Sequence, residues 1–376
     1  MKEGFTSKHL PLKRILVVTR GSQDEIKNPT FGGSRLIKEL IRELTMRRIK
    51  VYILSIHDLR SLSAFLLRIK DKDALRLKVS SFRVDKLKWF LNLFSSLIAE
   101  MLSRIDVGLR REIKIAIDKI KPDAMLYNGS IGAFTFLNEA RRRNIPFILC
   151  EHNVNYYFYE DKLRRNPLVN IFKVIELLAC KAADLVICFN PCDKERLVRD
   201  DIRSDKIIVW RFDPRTVERY DEKRVFSDIP TDIQSRLRGK FVVGFLGANY
   251  TLNVIVVKYI LKIAEKLPKD IVFLIIGSVG EAFERIETSS NVIFTGYVED
   301  VRPYLAITHV LLNLKFTSNT GIEAKMFDYV SCGKLIISTK IAATGFEYFP
   351  KVIIVENLRD VVRKIIELYK EWKAKK

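Results

Sequence analysis

Two doubly wound α/β domains, each built on a parallel sheet, are predicted by three features of this 376-residue sequence. The length suits two domains of about 150–200 residues, each able to bury its own core. Short runs rich in Val and Ile recur along the whole chain, with stretches of helical spacing between them. Such runs fit strands buried on both faces, as in a parallel sheet. Strand and helix therefore alternate in both halves.

In the first half the expected strands are Ile15–Val18, Val51–Ile56, Ala124–Tyr127, Pro146–Cys150, Leu185–Phe189 and Ile207–Trp210. In the second half they are Phe241–Leu246, Ile271–Ile276, Val292–Thr295, Val310–Leu314, Leu335–Ser338 and Val352–Val355. Leu36, Ile37, Leu40, Ile41 and Leu44 form one apolar stripe after Gly32-Gly33, so a helix is expected there. Residues 200–240 are charged, hold Pro214 and Pro230, and lack a long apolar period, as interdomain connections do. The expected division is an N-terminal domain over 1–200 and a C-terminal domain over 201–357. A last helix within 358–376, about Leu358 to Trp372, could pack on either domain, including back on the first.

Composition narrows the function classes. With 48% hydrophobic and 30% charged residues the chain is no disordered basic tail. The net charge of +21 is uneven: residues 1–200 carry +15, of which 41–150 carry +11. A basic face on one domain points to a polyanion or an anionic membrane surface. The basic residues are spread through amphipathic segments, and no helix-turn-helix, zinc-finger or RNA-binding signature is present, so nucleic acid is not an expected partner. Five cysteines and four scattered histidines fit buried thiols and a reducing compartment, with no metal site expected. No apolar signal core opens the sequence, and no run of 18 apolar residues occurs.

Ligands of doubly wound sheets bind beyond the carboxyl ends of the strands, and two such domains would share a cleft. The most informative segment is Thr317–Thr339, TSNTGIEAKMFDYVSCGKLIIST. A helix expected to open near Thr320-Gly321 would present backbone amides to an anion, and Gly321 would permit close approach. Lys325 then suits a diphosphate, and Asp328, on the same face, suits a ribose diol. An ordinary αβ unit with a solvated Lys–Asp pair fits the same residues. A lone histidine such as His152, just after the strand Pro146–Cys150, is more often a hydrogen-bonded structural residue, but its strand-end place beside Glu151 and Asn153 raises a functional reading.

Taken with their order, these residues resemble a family. Gly321-x-x-x-Lys325-x-x-Asp328, followed by Gly333 before a strand, resembles the donor-binding segment of glycosyltransferase family 4. Phe245-Leu246-Gly247 with Tyr250 and Asn253, Ile275-Ile276-Gly277, Phe294-Thr295-Gly296-Tyr297-Val298, and Asp300-Val301-x-x-Tyr304 are similar to the turns that follow in its donor domain. Gly32-Gly33, Glu151-His152-Asn153 and Ala182-Ala183-Asp184 resemble its acceptor domain. The resemblance spans roughly residues 14–370. It implies the GT-B fold, with two Rossmann-like domains facing a central cleft.

The resemblance also implies roles. Gly32 and Gly33 would face the donor diphosphate, and His152 would lie against the donor sugar near its anomeric carbon. Tyr297 and Val298 would border the nucleobase, with Gly277 in the same donor site. Thr320, Gly321 and Ile322 would offer amides to diphosphate and sugar, Lys325 would offset the leaving charge, and Asp328 would hold the ribose. Asn128, Glu151 and Asn153 would line the acceptor side. Two departures stand out. The family's two glutamates eight positions apart are here Thr320 and Asp328, and the stretch Ala248–Asn253 lacks the usual Arg and Lys. Neutralisation of the diphosphate would then rest on Lys325 and the helix end.

Residues 86–105 place Trp89, Phe90, Leu93, Phe94, Leu97, Ile98, Met101 and Leu102 on one broad helical face flanked by Lys86, Lys88 and Arg104. That pattern suits a helix in a membrane interface and equally a core-facing helix. The combined expectation is a retaining, metal-independent transferase without a cofactor. It would use a UDP- or GDP-linked nucleotide-sugar donor and a glycan or lipid-linked acceptor, in the cytoplasm or peripherally on an anionic membrane. A GT-B sugar-nucleotide epimerase and an inactive sugar-nucleotide or membrane-binding scaffold are the alternatives.

Overall fold

In the computed structural model the described residues are 12–19, 32–55, 93–94, 97–98, 100–101, 106–163, 166–213, 229–316 and 321–376. The chain divides into two compact units, Met1–Phe212 with Thr320–Ile322, and Asp213–Asn319 with Glu323–Lys376.

The first unit holds strands β1 (Arg14–Thr19), β2 (Lys50–Ser55), β3 (Ala124–Asn128), β4 (Phe147–Glu151), β5 (Leu185–Cys188) and β6 (Ile207–Val209). Its helices are α1 (Gly32–Met46), α2 (Val107–Ile120), α3 (Ala133–Arg141), α4 (Asn155–Lys162), α5 (Pro167–Ala182) and α6 (Pro191–Arg199). The strands form one six-stranded sheet in the order β2-β1-β3-β4-β5-β6, every pairing parallel. The apolar runs are explained by burial on both faces: Ile15, Leu16, Val17 and Val18 of β1 are all enclosed. Leu36, Ile37, Leu40 and Leu44 turn one side of α1 inward, as their spacing predicts. Sheet and helices share a core in which Tyr127 packs on Phe136 with ring centroids 4.8 Å apart and donates its hydroxyl to Ile131 O at 2.6 Å. The unit runs past the expected boundary at 200, because β6 pairs with β5 and Phe212 stacks on Phe189 at 5.4 Å.

In the second unit α7 (Thr231–Leu237) leads into β7 (Phe241–Leu246), α8 (Thr251–Lys266), β8 (Ile271–Ile276), β9 (Val292–Phe294) and α9 (Arg302–Ala306). The chain continues with β10 (Val310–Asn313), α10 (Lys325–Ser331), β11 (Leu335–Thr339), β12 (Val352–Val355) and α11 (Leu358–Ala374). These six strands are again all parallel, in the order β12-β11-β10-β7-β8-β9. The strand order reverses between β7 and β10, which makes their carboxyl ends the topological switch point. Of the two placements the sequence left open, the last helix takes the one on this unit. Val361, Ile365, Leu368 and Tyr369 form its inward stripe and join the second core. Asn357 caps the helix by accepting from the amides of Arg359 and Asp360.

Beneath α11, His309 lies between Phe241 and Trp372, with centroids 5.0 and 5.4 Å away, and its Nδ1 accepts the amide of Val242 at 2.9 Å. Burial, with Lys334 and then Lys376, holds the imidazole below its ordinary value of 6.5. A depressed histidine is neutral when folded and takes up its proton on unfolding, so the unfolded state binds more protons as pH falls. The second unit is therefore predicted to lose stability as pH drops below 6.5, and His309→Asn to flatten that part of the profile. Thermal melting between pH 7.5 and 5.5 checks this; equal slopes for both proteins would contradict it.

Candidate functional site

At the switch point of the second unit the chain places a lysine against the sheet. Lys325 is the first residue of α10, and its side chain is only 12% exposed. The ammonium donates to Leu246 O at 3.4 Å and Asn253 Oδ1 at 3.5 Å and sits 4.6 Å from the Phe245 ring centroid. Lys315, from the loop after β10, meets Glu323 Oε1 at 2.9 Å, while the other carboxylate oxygen lies 3.9 Å from Lys325. Burial raises the Glu323 carboxyl, but Lys325 and then Lys315 outweigh it and hold the group below its usual value. Burial lowers the Lys325 ammonium against the opposing pull of Glu323, with Lys315 lowering it further. Behind the cluster, Tyr329 ties the two switch strands together. Its hydroxyl accepts from Leu246 N at 2.8 Å and donates to Leu312 O at 3.1 Å.

Neighbouring turns carry the other donor-side candidates. Gly277 has φ 97° and its amide donates to Gly296 O at 3.1 Å. A Cβ there would stand 2.6 Å from Gly247 O, so the turns after β7, β8 and β9 close backbone on backbone. Tyr297, just past that junction, is 74% exposed, and Val298 beside it is half-buried. Asp328 lies three residues into α10 and is half-buried.

The helix does not open at Thr320-Gly321 as expected. Thr320 lies outside the described residues, and Gly321 has φ 62°, a left-handed conformation that a right-handed helix excludes. Gly321 belongs to the first unit, where its amide donates to Asp193 Oδ2 at 2.8 Å and its carbonyl accepts from Asn190 Nδ2 at 2.8 Å. A Cβ on it would fall 2.6 Å from His152 O. The amide expected to face a diphosphate is thus engaged by a carboxylate. Ile322 follows it, half-buried and non-helical.

In the first unit Gly32 and Gly33 open α1. Asn128 ends β3 at the switch point of this sheet, and its Oδ1 is enclosed without a hydrogen-bond partner among the described residues. Glu151, the last residue of β4, is fully buried. His152 follows, its ring 5.9 Å from that of Phe189, and then Asn153, set against Gly321. The chain leaves this strand end through a cap that the sequence did not announce. Buried Glu176 of α5 accepts from the first two amides of α4, Asn155 N at 3.0 Å and Tyr156 N at 2.8 Å.

Of the membrane candidates, Lys86, Lys88, Trp89 and Phe90 lie outside the described residues. Phe94 is 46% exposed, whereas Leu93 and Leu97 are in the first core, so the apolar face divides between core and surface. Among the described residues no helix is long and apolar enough to cross a membrane, and no group of three His, Cys, Asp or Glu could hold a metal ion.

Sequence reasoning passed over Lys315, Glu323, Glu176 and Asp193. Two of them carried a signal. Lys315 stands just past a strand, where ligand-binding residues gather, and Glu176 is the one carboxylate in a largely apolar helix.

Comparison with known proteins bears on the whole chain. No curated protein matches it significantly. Among solved structures it resembles Anabaena Alr3699/HepE in complex with UDP-glucose, at 14% identity over 96% of this chain and 90% of that one, with a TM-score of 0.57. It also resembles sucrose-phosphate synthase from Thermosynechococcus elongatus, at 13% identity over 95% and 90%, with a TM-score of 0.60. At these identities the likeness is one of fold, and that fold is GT-B. A model of glycosyltransferase family 4 matches residues 31–211, and a model of the group 1 glycosyl transferases matches 240–371. Matched in both units and over most of its length, the chain belongs to the group 1 glycosyltransferases of family 4.

Proposed function

We propose that the protein moves a sugar from a UDP- or GDP-linked donor to a glycan or lipid-linked acceptor with retention of configuration. The observation that carries this reading is the enclosed Lys325 ammonium at the switch point of the second sheet, backed by Leu246 O, Asn253 and Phe245. A cation held there suits a diphosphate leaving group. The neighbour HepE, crystallised with UDP-glucose on the same fold, supports a nucleotide sugar as the donor.

In this reading Tyr297 and Val298 border the base, Asp328 holds the ribose diol, and Gly277 lets the donor approach the backbone. Gly32 and Gly33 face the diphosphate, while His152 meets the transferred sugar. Asn128, Glu151 and Asn153 belong to the acceptor side. The bond from the anomeric carbon to the diphosphate breaks, and its electron pair leaves with the phosphate oxygen. The acceptor oxygen bonds to the same carbon on the same face, and its proton passes to the departing phosphate. Lys325 stabilises the charge that develops on the leaving group, the largest electrostatic demand of the reaction. That role needs neither a divalent cation nor a bound cofactor. A lipid-linked acceptor and the basic first half together favour work at the cytoplasmic face of an anionic membrane.

Lys325→Ala is predicted to lower kcat/KM about 100-fold or more, and His152→Ala to lower kcat, with melting temperatures close to wild type. Unchanged turnover in both variants would overturn the assignment. With donor alone, an epimerised sugar nucleotide would contradict transfer, whereas nucleoside diphosphate released only with acceptor supports it. Flotation with phosphatidylglycerol vesicles should show binding at low salt that weakens at high salt; no binding at either would remove the membrane from the account.

A further inference from the structure

We infer that Lys315 is the second cation for the donor diphosphate, and that Glu323 is an internal anion that occupies both lysines until the diphosphate displaces it. The inference rests on the reading of this unit as the donor site. The turn after β7, Ala248–Asn253, carries no Lys or Arg, yet a nucleoside diphosphate brings more negative charge than one ammonium offsets. The cluster supplies the missing cation from the other switch strand.

Its geometry suits such an exchange. Glu323 spans the two lysines with separate oxygens, Oε1 at 2.9 Å from Lys315 and Oε2 at 3.9 Å from Lys325. A phosphate group also presents two terminal oxygens to paired donors, so the carboxylate holds the place and spacing of one. Both cations are fixed from behind. Thr339 Oγ1 accepts the amide of Lys315 at 3.0 Å and donates to its carbonyl at 2.8 Å. Lys325 rests on Leu246 O, Asn253 and Phe245.

Glu323 is held differently. Among the described residues its carboxylate pairs with the two lysines and nothing else, and its side chain keeps 26% of its surface exposed. It precedes α10 in a non-helical stretch, so its departure leaves that helix intact. The carboxylate is therefore the member able to swing out. Without a donor its negative charge offsets the two enclosed lysines. After transfer, its return competes with the nucleoside diphosphate and hastens product release.

Calorimetric titration of wild type with UDP and with GDP, at low salt and pH 7.5, tests this. Whichever nucleotide binds wild type should bind Glu323→Gln roughly tenfold more tightly and Lys315→Met roughly tenfold more weakly, with Lys315→Arg close to wild type. Should Glu323→Gln melt early, Glu323→Ser reads the same way. Equal or weaker binding by the Glu323 variants, or unchanged binding by Lys315→Met, overturns the inference. If Lys325→Met abolishes binding while the other variants are unchanged, the donor site stands and only this inference falls. If folded wild type binds neither nucleotide, the donor-site reading falls and the inference goes with it.

Discussion

Parallel pairing of every strand sends all six carboxyl ends of each sheet out at one edge. Each βα turn must begin there, with strand-end carbonyls and amides that no further ladder satisfies. In the second unit this edge is closed by groups that other elements bring to it. Tyr329 spans the ends of β7 and β10 with one hydroxyl, Gly277 and Gly247 close two turns on each other, and Lys325 rests on the last carbonyl of β7. The first unit meets the same demand at the end of β4, where Glu176 caps the helix that follows. The places that could bind a ligand are thus set by topology before any side chain is chosen.

Side-chain chemistry then separates the two edges. Enclosing an ammonium is costly unless a counter-charge or oriented dipoles replace its water. The second unit encloses Lys325 and Lys315 and offsets them with one carboxylate, so the cluster keeps an excess of one positive charge. The edge of the first unit instead buries carboxylates, Glu151, Glu176 and Asp193, and gives Asp193 an arginine at 3.1 Å. An edge with surplus positive charge suits a phosphate-bearing ligand; one rich in carboxylates and amides suits hydroxyl groups.

The strands were legible because parallel strands buried on both faces leave unbroken apolar runs, and every expected run is a strand at nearly its expected bounds. The stripe of α1 was legible for the same reason. Chain direction near Gly321 was not. A glycine at a helix start and a left-handed glycine before one look alike in sequence, and only the contacts with Asn190 and Asp193 decide between them. Pairing was equally hidden. Lys325 has Asp328 on its own helical face, but its ion pair is with Glu323, because the turn ahead of α10 folds that carboxylate back between two lysines. The last helix could not be placed from its stripe alone, since either core could accept it.

Hydrogen exchange with and without a nucleotide sugar tests the central claim most directly, because it locates the donor without presuming the acceptor. UDP-glucose and GDP-mannose serve as probes. The account predicts slowed exchange at the ends of β7, β8 and β9, around Leu246–Tyr250, Gly277 and Tyr297–Val298, and at the onset of α10. Slowed exchange confined to the first unit, with none at the carboxyl edge of the second sheet, would contradict it.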